Sequence, residues 1–121
     1  MSRKYSIIGS FDFAIQGVKT AIKKEPNFRF HLLAAVLAMA GATILGFSPT
    51  EWVVLFFAIA LVLILELVNT SLESIVNIVS PQRQEKARVA KDVSAAAVLV
   101  AAVAAVLVGV YLFLPKLIQM V

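Results

Sequence analysis

The chain of 121 residues contains no cysteine, which removes disulfide frameworks, thiolate metal sites and cysteine nucleophiles from consideration. Charge is scarce as well. Asp, Glu, Lys and Arg make up 15% of the residues against 61% hydrophobic, and the mean hydropathy is +0.95. A soluble domain carries roughly a quarter charged and half apolar residues, so this composition excludes an ordinary soluble globule and points to one integral membrane domain over residues 1–121. The net charge of +4 has no basic stripe interleaved with aromatics behind it, and it suits membrane orientation and anionic headgroups rather than nucleic acid. No GxxxxGK[ST] or GxGxxG stretch occurs, which excludes a P-loop or protein-kinase fold. No long-period repeat or linker divides the chain. Met1 to Ser10 holds early basic residues but neither a long apolar core nor a small-residue cleavage site, so a mature N-terminus is expected rather than a signal peptide.

What the sequence does contain is three apolar spans. The first runs from about Phe28 to Phe47, and some twenty residues at about 1.5 Å each cover the ~30 Å hydrocarbon core. Its interior polar groups, Arg29 and His31, both lie at its start. "SPTE" follows: Ser48 can cap a helix, Pro49 fits the first helical position and Glu51 stands at the capping-box position, which predicts a tight hairpin. The second helix is expected over about residues 50–79, ended by Ser80-Pro81, and is longer than a bilayer core requires. The third helix, about 85–114, contains an alanine-rich span from about Val93, with Gly109 allowing close approach and Tyr111 and Phe113 marking the far interface. Upstream, Ile7/Ile8, Phe11, Ile15, Val18 and Ile22 recur at three- and four-residue intervals with Lys19, Lys23 and Lys24 off the stripe. That pattern predicts an amphipathic helix over about 5–24, lying in the membrane interface or packed on the protein's own bundle. The expected fold class is therefore an all-α membrane protein, one interfacial helix followed by three transmembrane helices.

Orientation follows from the short loops. Arg83, Lys86, Arg88 and Lys91 lie between the second and third spans, whereas the first hairpin carries only Glu51. The positive-inside rule puts the N-terminus and loop 80–91 in the cytoplasm, and loop 48–51 and the C-terminus on the far side.

The second span does not end cleanly. "ELVNTSLE", Glu66 to Glu73, brings two carboxylates and an amide out of an apolar run. Rotation of about 100° per residue puts Glu66, Asn69, Glu73 and Asn77 within roughly 60° on one face. Counted from Thr50, Glu66 lies about 24 Å along the helix, just beneath the cytoplasmic headgroups, and Glu73 about 34 Å along, at their level or above. Glu25 falls just before the first span and Lys91-Asp92 just before the third, so three segments deliver ionisable groups to one level of one membrane face. Each also has a plainer reading. Glu25 and Asp92 suit helix N-termini, Lys91 suits a positive-inside anchor, Asn69 suits interhelical glue, and Glu73 suits a solvated headgroup-level charge. His31 reads as a satisfied polar group near the interface rather than a catalyst. Glu66 resists such a reading, because an acid below the headgroups costs a few kcal/mol and marks a functional site by default. Carboxylates with asparagine and lysine at a membrane surface suit phosphoryl transfer: two glutamates to hold Mg²⁺, a third to accept a hydroxyl proton, lysine to meet phosphate. A small transporter or proton-coupled channel, and a structural or assembly protein, remain the readings from other classes.

"ELVNTSLESIVN", then "AKDVSAAAVL", with "EPNFRFH" upstream, closely resembles the prokaryotic diacylglycerol kinase family, which includes undecaprenol kinases. Its pattern is E-x-x-N-[TS]-[AS]-[IL]-E, a charged loop, then A-K-D-x-[AGS]-[AS]-A-A-V-L. The resemblance runs from "FAIQGVKTA" to "FLPK". It implies a bacterial cell-membrane homotrimer with active sites between protomers that uses ATP and Mg²⁺ to phosphorylate a lipid alcohol. By motif position it implies Glu66 as general base, Asn69 positioning the reacting groups, Glu25 and Glu73 as Mg²⁺ ligands facing the nucleotide, and Lys91 and Asp92 on the nucleotide. It also implies that the loop about Gln82 to Gln84, with Arg83, touches the nucleotide, and that Arg29 has a supporting role. Asn77 stands where aspartate is usual, which bears on metal affinity or loop docking. "FRFH" and the short N-terminus resemble members acting on undecaprenol more than those acting on diacylglycerol.

Overall fold

The computed structural model describes residues 6–82 and 84–121. Among them are four helices and no strand: α1 (Ile7–Lys24), α2 (Pro26–Leu45), α3 (Pro49–Val79) and α4 (Glu85–Gln119). The boundaries have local causes. A residue before proline is pushed out of the α region, so α1 stops at Glu25, which is extended (φ −111°, ψ 102°), and Pro26 opens α2. Gly46 ends α2 in the left-handed region at φ 68°, a conformation glycine adopts without a Cβ penalty. The expected capping box opens α3: the Glu51 N–H donates to Ser48 Oγ at 3.2 Å, and the Ser48 N–H donates to Glu51 Oε1 at 2.9 Å.

Helices α2, α3 and α4, with 20, 31 and 35 residues, are long and apolar enough to cross a membrane. Short connections at 46–48 and 80–84 make them successive antiparallel neighbours. One end of the bundle is thus the α2–α3 hairpin. The other gathers the α1–α2 junction, the end of α3 and the start of α4.

The hairpin end holds the apolar core. Ala42, Phe47, Leu55 and Leu112 form the buried cluster, with Trp52, Ile59 and Phe113 against it. The Phe47 and Phe113 ring centroids are 4.8 Å apart. Lys116 Nζ lies 3.1 Å from Glu51 Oε1 and 5.5 Å from the Phe47 ring centroid, so the capping glutamate also ties α4 to the hairpin. This contact explains why α4 runs through Pro115 to Gln119 instead of ending near Leu114. The proline forfeits one backbone hydrogen bond, and the tertiary anchor at Lys116 offsets it.

Two further expectations concern packing within the protomer. A Cβ added at Gly109 would meet nothing within 4 Å, whereas one at Gly41 would lie 3.2 Å from Phe113 Cε1. Within the protomer the close approach is therefore at Gly41. In α1 only Ala21 is buried, and Ile7, Ile8, Phe11 and Ile15 are exposed. The protomer does not pack the apolar stripe of α1 into its own bundle, which leaves that face to the membrane interface or to another copy.

Ser48→Ala is expected to destabilise the fold by about 1 kcal/mol through loss of the cap, measured as a lower thermal midpoint in micelles. An unchanged midpoint would remove the capping box from this account.

Candidate active site

Because α2 and α3 share one tight hairpin, height along either helix can be counted from it. Glu66 lies seventeen residues into α3 and His31 sixteen before Phe47, each about 24–26 Å from the hairpin. The structure brings them together, with His31 Nε2 3.2 Å from Glu66 Oε1. Glu66 is only 4% exposed, the one charged side chain in the buried set among the described residues. The other groups acting electrostatically on it are the carboxylates of Glu25 and Glu73, so the three glutamates share one neighbourhood. Glu25 reaches it from the α1–α2 junction, where Pro26 forces the break. Glu73 reaches it from two turns further along α3.

Asn69, half-buried on the same face, donates from Nδ2 to Glu73 Oε1 at 3.4 Å. Its Oδ1 is buried with no partner. A buried polar atom in that condition requires an explanation, commonly a bound ion, water or ligand, and a carbonyl oxygen beside a carboxylate is what a hard cation or a substrate hydroxyl would satisfy. Among the described residues no three His, Cys, Asp or Glu side chains form a metal cage. Mg²⁺ does not need one when it arrives with a nucleotide, since one or two carboxylates plus phosphate oxygens complete its shell. The residues present therefore fit Mg²⁺ held through Glu25 and Glu73.

Beyond Asn69 the α3 face opens onto a cleft of about 430 Å³ between the ends of α3 and α4, lined by Asn77, Gln82, Gln84, Arg88 and Lys91 among others. Lys91 Nζ donates to Asn77 Oδ1 at 2.5 Å. Asn77 thus bears on lysine placement: a neutral amide holds the ammonium while leaving its charge uncompensated. Asp92 does not join Lys91 in lining the cleft. It is exposed and accepts from Arg88 Nη1 at 2.7 Å, while Arg88 also pairs with Glu85 along α4. Arg83 lies outside the described residues.

Arg29 belongs to neither the buried site nor the core; it is exposed, and its Nη1 donates to the Ile22 and Lys23 carbonyls at 2.8 and 3.1 Å. These are last-turn carbonyls of α1, left without helical partners and attractive to a cation. Arg29 thereby fastens the end of α1 to the start of α2 on either side of Glu25. His31, read from sequence as a satisfied polar group near the interface, has Glu66 as its partner. Counting back from the hairpin along α2 puts it level with Glu66, a signal present in the sequence once the tight turn is accepted.

A family model described as prokaryotic diacylglycerol kinase matches residues 12–113. A protein of Synechocystis sp. named diacylglycerol kinase is 41% identical over 95% of this chain, which spans 66% of that relative's length. The undecaprenol kinase of Bacillus subtilis is 36% identical over 89% of this chain and 88% of its own length. The diacylglycerol kinase of Escherichia coli K12 is 32% identical over 84% and 83%.

If Arg29 fastens α1, Arg29→Met should speed hydrogen exchange of amides around residues 20–25 selectively, since their carbonyl clamp is lost. Exchange equal to wild type there would leave Arg29 without this role.

Proposed function

The chain belongs to the prokaryotic diacylglycerol kinase family, and from that membership we propose that it transfers the γ-phosphoryl group of ATP to a lipid alcohol at the cytoplasmic face of a bacterial membrane. The observation that carries the reading is the buried Glu66 sharing its surroundings with Glu25 and Glu73, at the end of the bundle where the lysine-lined cleft opens. The positive-inside rule supports a cytoplasmic position for that end and for the N-terminus, with loop 48–51 and the C-terminus on the far side.

In the proposed reaction Glu66 accepts the proton of the lipid hydroxyl. The freed oxygen forms a bond to the γ-phosphorus as the bond from that phosphorus to the ADP oxygen breaks. Glu25 and Glu73 would hold Mg²⁺, which would supply neutralisation of phosphate charge. Asn69 positions the reacting groups through its unpartnered Oδ1. Lys91, steered by Asn77, meets phosphate from the cleft, and Asp92 and Arg83 reach the nucleotide from a neighbouring protomer's side or from the loop. A homotrimer suits this arrangement, because a lone protomer leaves much of its polar stripe and apolar surface uncovered.

Undecaprenol is the proposed acceptor. "FRFH" and the nearly end-to-end match to an undecaprenol kinase support it. Diacylglycerol is the second reading, favoured by the 41% identity to a protein named for it. A transporter would want its carboxylate near mid-membrane, and Glu66 is instead about 25 Å from the hairpin.

Purified protein in micelles with ATP and Mg²⁺ should phosphorylate undecaprenol with higher kcat/KM than diacylglycerol. Product from neither, with a folded trimer, would end the kinase reading; the reverse preference would change the substrate. Glu66→Gln should remain a folded trimer and lose about 10³-fold in kcat, the usual scale for a missing general base. Full activity would move the base elsewhere. Asn77→Asp would compensate the Lys91 charge with a carboxylate, and KM for ATP should rise on the order of fivefold; an unchanged KM would detach Lys91 from the phosphates.

A further inference from the structure

The side chain of Glu66 is 5% exposed and that of His31 20%, with 3.2 Å between Nε2 and Oε1. A carboxylate below the membrane surface is costly to keep charged unless something of opposite sense faces it. The groups acting on Glu66 are His31 from α2, Glu25 from the α1–α2 junction and Glu73 from α3. Two of the three are carboxylates that repel it, and His31 alone can attract it.

The imidazole is itself restrained. Phe30 stands edge-on to it, ring centroids 5.5 Å apart and planes at 77°. One turn nearer the hairpin on the two helices, Ala35 and Val62 are both buried, which keeps α2 and α3 at close quarters beneath the pair. A restrained ring facing one oxygen of a buried carboxylate is an arrangement that orients a base as well as neutralising it.

We infer that His31 is the positioning residue of Glu66: its Nε2–H faces Oε1, fixes the carboxylate rotamer and leaves the other oxygen to take the lipid hydroxyl proton. This rests on the lipid kinase reading above. The proton lost from the hydroxyl ends on Glu66, so the imidazole sets geometry without entering the bond changes. His31 is also the only histidine in the chain, which makes it directly observable.

The test compares wild type, His31→Gln, Glu66→Asp and the double variant as folded trimers with undecaprenol and diacylglycerol. His31→Gln should lower kcat roughly 10- to 100-fold, the scale of a misplaced catalytic group, with KM for ATP and lipid held within about twofold. Glu66→Asp withdraws the carboxylate from the ring, so adding His31→Gln to it should cost little more. Wild-type kcat in His31→Gln, or losses that simply multiply in the double variant, would overturn the inference. A second readout needs no turnover: the ¹⁵N resonances of the single imidazole should move when Glu66→Gln removes the charge, and unchanged resonances would also overturn it. Wild type inactive on both lipids would instead strike the kinase reading, whereas active wild type with an indifferent His31→Gln would strike only this one.

Discussion

A carboxylate placed under the end of a membrane helix has to be given a partner, because hydrocarbon offers no water to solvate it. Glu66 is in that position, and much of the protomer's architecture bears on its surroundings. The hairpin of Gly46 to Ser48 is short enough that heights on α2 and α3 match, which brings His31 level with it. Pro26 breaks the chain where Glu25 must turn in, and Arg29 holds the broken end of α1 against α2. A longer hairpin or a continuous α1–α2 helix would leave the same residues without the same neighbours.

The two ends of the bundle divide the work. At the hairpin, the Phe47, Leu55, Leu112 and Ala42 cluster and the Glu51–Lys116 pair lock three helices together. At the other end the helices are held by polar contacts that bridge one helix to the next, Lys91 to Asn77 and His31 to Glu66, and a cleft remains between them. Rigidity at one end allows the other to stay open to a ligand without the helices separating. Within the protomer most of each spanning helix is left uncovered, so lipid or further copies of the chain must cover the rest.

Much of this was legible in local sequence. The capping box at Ser48 and Glu51, the stop at Ser80-Pro81, the common face of Glu66, Asn69, Glu73 and Asn77, and the break before Pro26 all rest on interactions within a few residues. The misses share the opposite character. The third helix reads as ending near Leu114, yet α4 continues through Pro115 to Gln119, where Lys116 reaches Glu51 on another helix. Gly109 reads as the close-packing glycine, yet Gly41 is the one against Phe113. Asp92 is a separate case, since its expected place on the nucleotide is a proposal and within the protomer it pairs with Arg88 on the same helix.

By itself, then, the sequence determined the membrane class, the helices and the one face of α3 that carries the acids, because hydropathy, capping and helical rotation are properties of short stretches of chain. Only the tertiary structure decided that Glu66 is buried against His31, that Asn69 Oδ1 lacks a partner and that Lys91 rests on Asn77. Those facts depend on the relative height and rotation of separate helices. Such offsets are set by the hairpin and its packing core, and no periodicity within one helix encodes them.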